Sequence, residues 1–130
     1  MRCSMKPFLL AIFFLIVIIS GSLFSMYYIN NQSEVLQKQL IELEGHIDAE
    51  NWDKANDLYN DFKQSWVKID HIWSMLIDHN EIDYINTDLG ELEAYIKTKE
   101  KADALAKVSS LQWLVKHIPE KEFPALKNIL

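Results

Sequence analysis

From residue 8 to residue 29 the chain carries no charged side chain, and the first twelve of those residues, Phe8 through Ile19, are all apolar. Twenty-two helical residues rise about 33 Å, enough to cross the hydrocarbon core of a bilayer. Lipid offers no partner to a peptide group, so such a segment must satisfy its own backbone as a helix. The expected organisation is a tail at 1–7, a signal-anchor helix at 8–29 and a separate domain at 30–130. The lipid bilayer is thus the first expected partner.

Flanking charge sets the expected orientation. Arg2 and Lys6 precede the run, and the next cation is Lys38. Cationic flanks stay inside. This predicts a single-pass cell-membrane protein with the N-terminus in the cytoplasm and 30–130 outside. Tyr27 and Tyr28 stand where an outer aromatic belt belongs. A cleaved signal peptide is the competing reading, since Ser20 and Ser22 offer small residues near a cleavage position. The apolar stretch runs past that point, which favours the uncleaved anchor. Gly21 and Ser25 form a small-xxx-small pair through which two spans could pack as a homodimer.

The remainder is acidic. Arg2 and Lys6 account for two of the 13 basic residues, and all 19 acidic residues lie beyond residue 30, so this part carries a net charge of −8. Such a surface repels phosphate backbones, which argues against nucleic acid as a partner. The single cysteine, Cys3, cannot form an internal disulfide, so a core must hold the domain together. It also lies too early to be a lipoprotein attachment site.

Helical periodicity dominates after residue 30, with no alternating strand pattern. Trp52, Ala55, Tyr59, Phe62, Trp66, Ile69, Trp73 and Leu76 repeat at spacings of three and four, a seam suited to a bundle core. Asn51 is the expected N-cap, and Asp78-His79-Asn80 the expected helix end. Leu36, Leu40, Leu43 and Ile47 form an earlier stripe with no proline between it and the apolar run. A continuous first helix is therefore open to the chain. Ile82, Ile85, Leu89, Leu92 and Ile96 form a third stripe, with Asn80-x-x-Asp83 as a capping box. Ala104, Val108, Leu111, Val115 and Ile118 form a fourth, which Pro119 is expected to stop. The tail from Phe123 to Leu130 is expected to add a turn or two of helix packed on the bundle.

Two internal similarities suggest paired hairpins. Leu40, Leu43 and Ile47 recur as Leu89, Leu92 and Ile96, an offset of 49, and Asp53-Lys54-Ala55-x-x-Leu58 resembles Glu100-Lys101-Ala102-x-x-Leu105, an offset of 47. Short connections force antiparallel neighbours. The predicted fold class is all-α: an N-terminal transmembrane helix followed by an antiparallel four-helix bundle made of two helical hairpins.

The layout resembles the domain of unknown function family 4363. The blocks that carry the resemblance are the basic start and apolar span, Asn51-Trp52-Asp53-Lys54-Ala55, the segment from Trp66 to Trp73, Leu76-Ile77-Asp78-His79 with Glu81-Ile82-Asp83, His117-Ile118-Pro119-Glu120, and Leu126-Lys127-Asn128-Ile129-Leu130. They cover essentially the whole chain. The resemblance implies a small bacterial membrane-anchored helical protein and brings no catalytic residues with it.

Chemistry is hard to build from these residues. The three glycines are scattered, so no phosphate-cradling loop or nucleophile elbow forms. His71, Asp78 and His79 are the best metal candidates, but His-x-x-x-His spacing is absent and tight convergence is needed. No cofactor is expected, and the chain is not expected to be an enzyme. The expected role is an interaction module docking on another membrane or envelope protein. The alternative is a small-ligand-sensing ectodomain, which would signal through a partner because the tail of about seven residues is too short for a signalling domain.

Overall fold

The described residues fold as four α-helices: α1 (Arg2–Asp48), α2 (Trp52–Leu76), α3 (His79–Lys97) and α4 (Lys101–Glu122). This computed structural model describes residues 2–122, with side chains for residues 5–120. The expectation for the tail from Phe123 onward lies outside the described residues. No strand occurs among them.

α1 is continuous for 47 residues, about 70 Å of helix. Its first half stands clear of the bundle, with side chains from Phe8 to Ile18 exposed. Its second half contributes Ile29, Leu36, Leu40, Leu43 and Ile47 to the core. α1 packs against α2 and α4, and α3 packs against α2 and α4, so the four helices form an antiparallel square.

The two hairpins share one register. Leu36, Leu40, Leu43 and Ile47 of α1 recur 49 residues later as Ile85, Leu89, Leu92 and Ile96 of α3, all buried. Ala55, Tyr59, Phe62, Trp66 and Ile69 of α2 recur at the same offset as Ala104, Val108, Leu111, Val115 and Ile118 of α4, again all buried. The connections repeat too. Asn51 N–H donates to the His46 carbonyl, and Glu50 N–H to Ile47; Glu100 N–H donates to Tyr95, and Lys99 N–H to Ile96. Each is a Schellman closure with a left-handed residue, Glu50 at φ 59° and Lys99 at φ 56°. The expected 47-residue match fails, because Ala55 corresponds to Ala104 rather than Ala102.

The repeat also balances volume. Tyr59, Phe62 and Trp66 on α2 match Val108, Leu111 and Val115 on α4, so bulky and small side chains share layers, as close packing requires. Among the described residues, each buried Tyr or Trp finds a partner for its heteroatom. Tyr59 Oη–H donates to the Leu89 carbonyl at 2.8 Å, Trp66 Nε1–H to Asn86 Oδ1 at 2.8 Å, and Trp73 Nε1–H to Gln32 Oε1 at 3.1 Å. Without those acceptors, each buried donor would cost about 1–3 kcal/mol of the gain from burying its ring. Trp66 and Trp73 also meet edge to face, 5.7 Å apart.

Several local expectations are corrected. Leu76 is not a core residue; it is 46% exposed, and Ile77 takes its place at 5%. α2 ends there, and extended backbone at Ile77 (φ −122°, ψ 149°) turns the next side chain inward. Asp78 is not part of the α2 end but the N-cap of α3, accepting from Asn80 N–H at 3.1 Å. The capping frame is thus Asp78-x-x-Glu81, two residues earlier than expected. Asn51 holds the N-cap position of α2 without a side-chain cap bond; its Nδ2 lies 3.4 Å from His46 Nδ1 instead. Trp52 is half-buried against the core.

Pro119 does not end α4, which continues to Glu122. Proline lacks the N–H that would donate to the carbonyl four residues back, here that of Val115. Ser33 Oγ–H, from α1, donates to that carbonyl at 2.6 Å in a buried contact. Ser33 Oγ itself accepts from Gln37 Nε2 at 3.0 Å. The helix survives its proline because a neighbouring helix supplies the missing donor.

Candidate interaction surface

The metal candidates do not converge. His71, Asp78 and His79 are all exposed, and Asp78 is engaged as the α3 cap. No three His, Cys, Asp or Glu side chains among the described residues form a metal-holding group.

Two polar clusters decorate the bundle. On the α2–α3 face, Glu93 bridges Lys97 at 3.1 Å and Lys63 at 3.7 Å, and Tyr59 Oη lies 3.3 Å from Glu93 Oε2. The hydrogen bond from Lys97, with the charges of Lys97 and Lys63, holds the Glu93 carboxyl below the usual glutamate range. Burial, followed by the Glu93 charge, pushes the Tyr59 phenol well above its ordinary value. The phenol therefore stays protonated and acts as a fixed donor.

On the α3–α4 face, Asp88 is nearly buried, at 9% exposure. It accepts from Ser110 Oγ at 2.5 Å and faces Lys107 at 3.6 Å. Lys107 also pairs with Glu91 at 2.6 Å. The hydrogen bond to Glu91 and the two neighbouring carboxylates raise the Lys107 pKa despite partial desolvation. A charge this close to the interior is tolerable only when so paired.

Asp88 and Ser110 of that cluster also line an open groove of about 390 Å³, together with Tyr84, Trp113 and Leu114. Tyr84 is 62% exposed and Trp113 58%. The Trp113 ring stacks on His117 at 4.5 Å and 17°. His117 Nδ1 lies 2.9 Å from the Trp113 carbonyl oxygen, so this nitrogen serves as the donor. The ring is thus held in place rather than swinging free. Sequence reasoning passed over Trp113, although the signal was there. It falls between the buried positions Leu111 and Val115, so helical geometry must point it outward.

The first half of α1 is long and apolar enough to cross a membrane, and its most apolar window is 0% buried. Gly21 has open space where a side chain would sit. Ser25 is half-buried, on the side approaching Ile29 and Met26, where the bundle begins. The two small residues are therefore not equally free.

No curated protein and no solved structure matches the chain. A family model described as a domain of unknown function (DUF4363) matches residues 23–129, from the end of the apolar run through the bundle. The chain belongs to the DUF4363 family.

Proposed function

We propose that the chain is a single-span membrane protein whose bundle is a non-enzymatic interaction module, docking on another membrane or envelope protein. The basic residues Arg2 and Lys6 before the apolar run, and none after it until Lys38, support a cytoplasmic N-terminus with the bundle outside.

The observation that carries the docking role is the groove with Tyr84 and Trp113 exposed on its rim. Aromatic side chains of this kind anchor protein interfaces, and a pre-ordered ring loses little freedom on binding. The ligand-sensing alternative has less behind it. The bundle centre is filled by Tyr59, Phe62, Trp66 and Trp73, each at most 2% exposed, and the groove is open to solvent.

The test is site-specific photocrosslinking in the full-length protein within native membranes. A photoreactive residue replacing Tyr84 is expected to yield one discrete heavier adduct, lost on Trp113→Ala. The same probe at Glu42, on the outer face of α1, is expected to yield none. No adduct from position 84, or the same adducts from both positions, overturns the assignment of this face.

A further inference from the structure

The two ends of the bundle are built differently. The end far from the apolar half of α1 has two connections, and both carry charge: Glu50 beside Asn51, and Lys99 beside Glu100. The near end has the single connection between α2 and α3, Ile77-Asp78, which also carries a charge; what sets this end apart is the apolar pair Met75-Leu76 in the last turn of α2. Ile77 turns into the core. Met75 stays 82% exposed, more than any large apolar side chain of the free α1 segment, where Phe24 reaches 68% and Tyr27 71%.

The register of the helices fixes the height of this turn. Gln39 Nε2 donates to Ser65 Oγ and Trp73 Nε1 to Gln32 Oε1. In an antiparallel pair each step up α1 is one step back along α2, so Leu76 stands level with Tyr28 and Ile29. That is where the uncharged run of α1 ends. Neighbouring helices lie about 8–10 Å apart, so the turn sits directly beside the emerging span.

We infer that the α2–α3 turn is a second membrane contact: Met75 and Leu76 enter the lipid interface next to the span and seat the base of the bundle on the bilayer. The proposal rests on the membrane-anchored reading above. The occupant is lipid because the exposed Met75 and Leu76 stand level with Tyr28 and Ile29, immediately above the exposed Phe24 and Tyr27 of α1. Because α1 is unbroken, no linker can carry the turn away from that plane. Entry is shallow. Asp78 lies two residues past Leu76 and caps α3, and its carboxylate must remain hydrated.

The test uses the full-length chain with Cys3→Ser, reconstituted in phosphatidylcholine vesicles. An environment-sensitive fluorophore is placed by Met75→Cys, Asp53→Cys at the far end, or Phe13→Cys in the span. Spin-labelled lipids report depth. The expected result is blue-shifted emission at position 75, quenched by shallow labels severalfold more than at position 53. Position 13 should be quenched best by deep labels. If position 13 is quenched while 75 behaves like 53, the turn stays in water and the inference is overturned with the anchor intact. If position 13 is not quenched, the anchor itself fails and the inference falls with it. A further variant, Met75→Asn, should leave the bundle folded in detergent and make a label at Ile72→Cys more accessible to aqueous quencher in vesicles. Unchanged accessibility in vesicles counts against the contact.

Discussion

Replacing Ser33 with alanine tests how α4 tolerates its proline. The Ser33 hydroxyl donates to the Val115 carbonyl at 2.6 Å and accepts from Gln37. Both ends of the contact are buried, with Ser33 at 3% and Val115 at 0% exposure. Removal leaves a carbonyl that has lost its helical donor to Pro119 and now loses its replacement. An unsatisfied buried acceptor costs about 1–3 kcal/mol. For a domain near one hundred residues that is roughly 5–15 °C in Tm. The informative comparison is Ser33→Ala in a Pro119→Ala background. Alanine restores an N–H four residues after Val115, so the carbonyl regains a helical partner. Ser33→Ala should then cost only an ordinary hydrogen bond, about 0.5–1.5 kcal/mol. The coupling between the two sites should be about 1 kcal/mol. Melting of the full-length protein in detergent, followed by tryptophan fluorescence, reads this directly because Trp66 and Trp73 report on the core. Equal losses in the two backgrounds, or a loss under about 0.5 kcal/mol beside Pro119, would refute the explanation.

The other predictions use the same melting assay. Ile77→Ala should cost about 2–3 kcal/mol as a core truncation, whereas Leu76→Ala in detergent should cost less than about 1; the reverse order would contradict the placement of the turn. Glu50→Gly or Lys99→Gly should each raise stability by about 0.5–1 kcal/mol, since glycine holds a left-handed φ without steric cost; a loss would count against that conformation. Glu93→Gln should flatten the acid limb of the stability profile. The folded pKa of Glu93 is depressed, so its contribution is full above the unfolded value and disappears as pH falls through the folded one. The gap between wild type and Glu93→Gln should therefore shrink from pH 7 towards pH 3, and a constant gap would refute the linkage. High salt should narrow it as well, because the pair is partly exposed.

Much of the fold was legible because burial follows helical spacing. The seam from Ala55 to Trp73 reads directly as core, and so do the stripes on α1, α3 and α4. What failed were the ends, where periodicity stops carrying information. Leu76 continues the numerical pattern, but the helix ends beneath it, and an extended Ile77 delivers the next core side chain. Asp78 and Asn80 are both acceptable caps in sequence; the tertiary position of the turn selects the earlier one. Pro119 reads as a stop because the local rule is sound, and only the distant Ser33 changes the outcome. The internal repeat was visible at two offsets. The 49-residue one survived because core positions enforce it, while the 47-residue one matched exposed residues such as Asp53 and Glu100 that nothing holds in register. The groove was the least legible feature, because periodicity points Trp113 outward but does not show that it shares a groove with Tyr84 of α3.

The unbroken α1 has a mechanical consequence. Successive residues of an α-helix advance about 100°, so a helix without a hinge fixes the azimuth of everything attached to it. The exposed side of the apolar half and the Tyr84–Trp113 groove are therefore locked in one rotational phase. A partner gripping the groove would feel any roll or tilt of the α1 segment as torque, and a partner beside that segment would feel the bundle turn. Adding one residue near Gly21 should swing the groove about 100° away from its bearing, and adding seven, almost two full turns, should bring it nearly back.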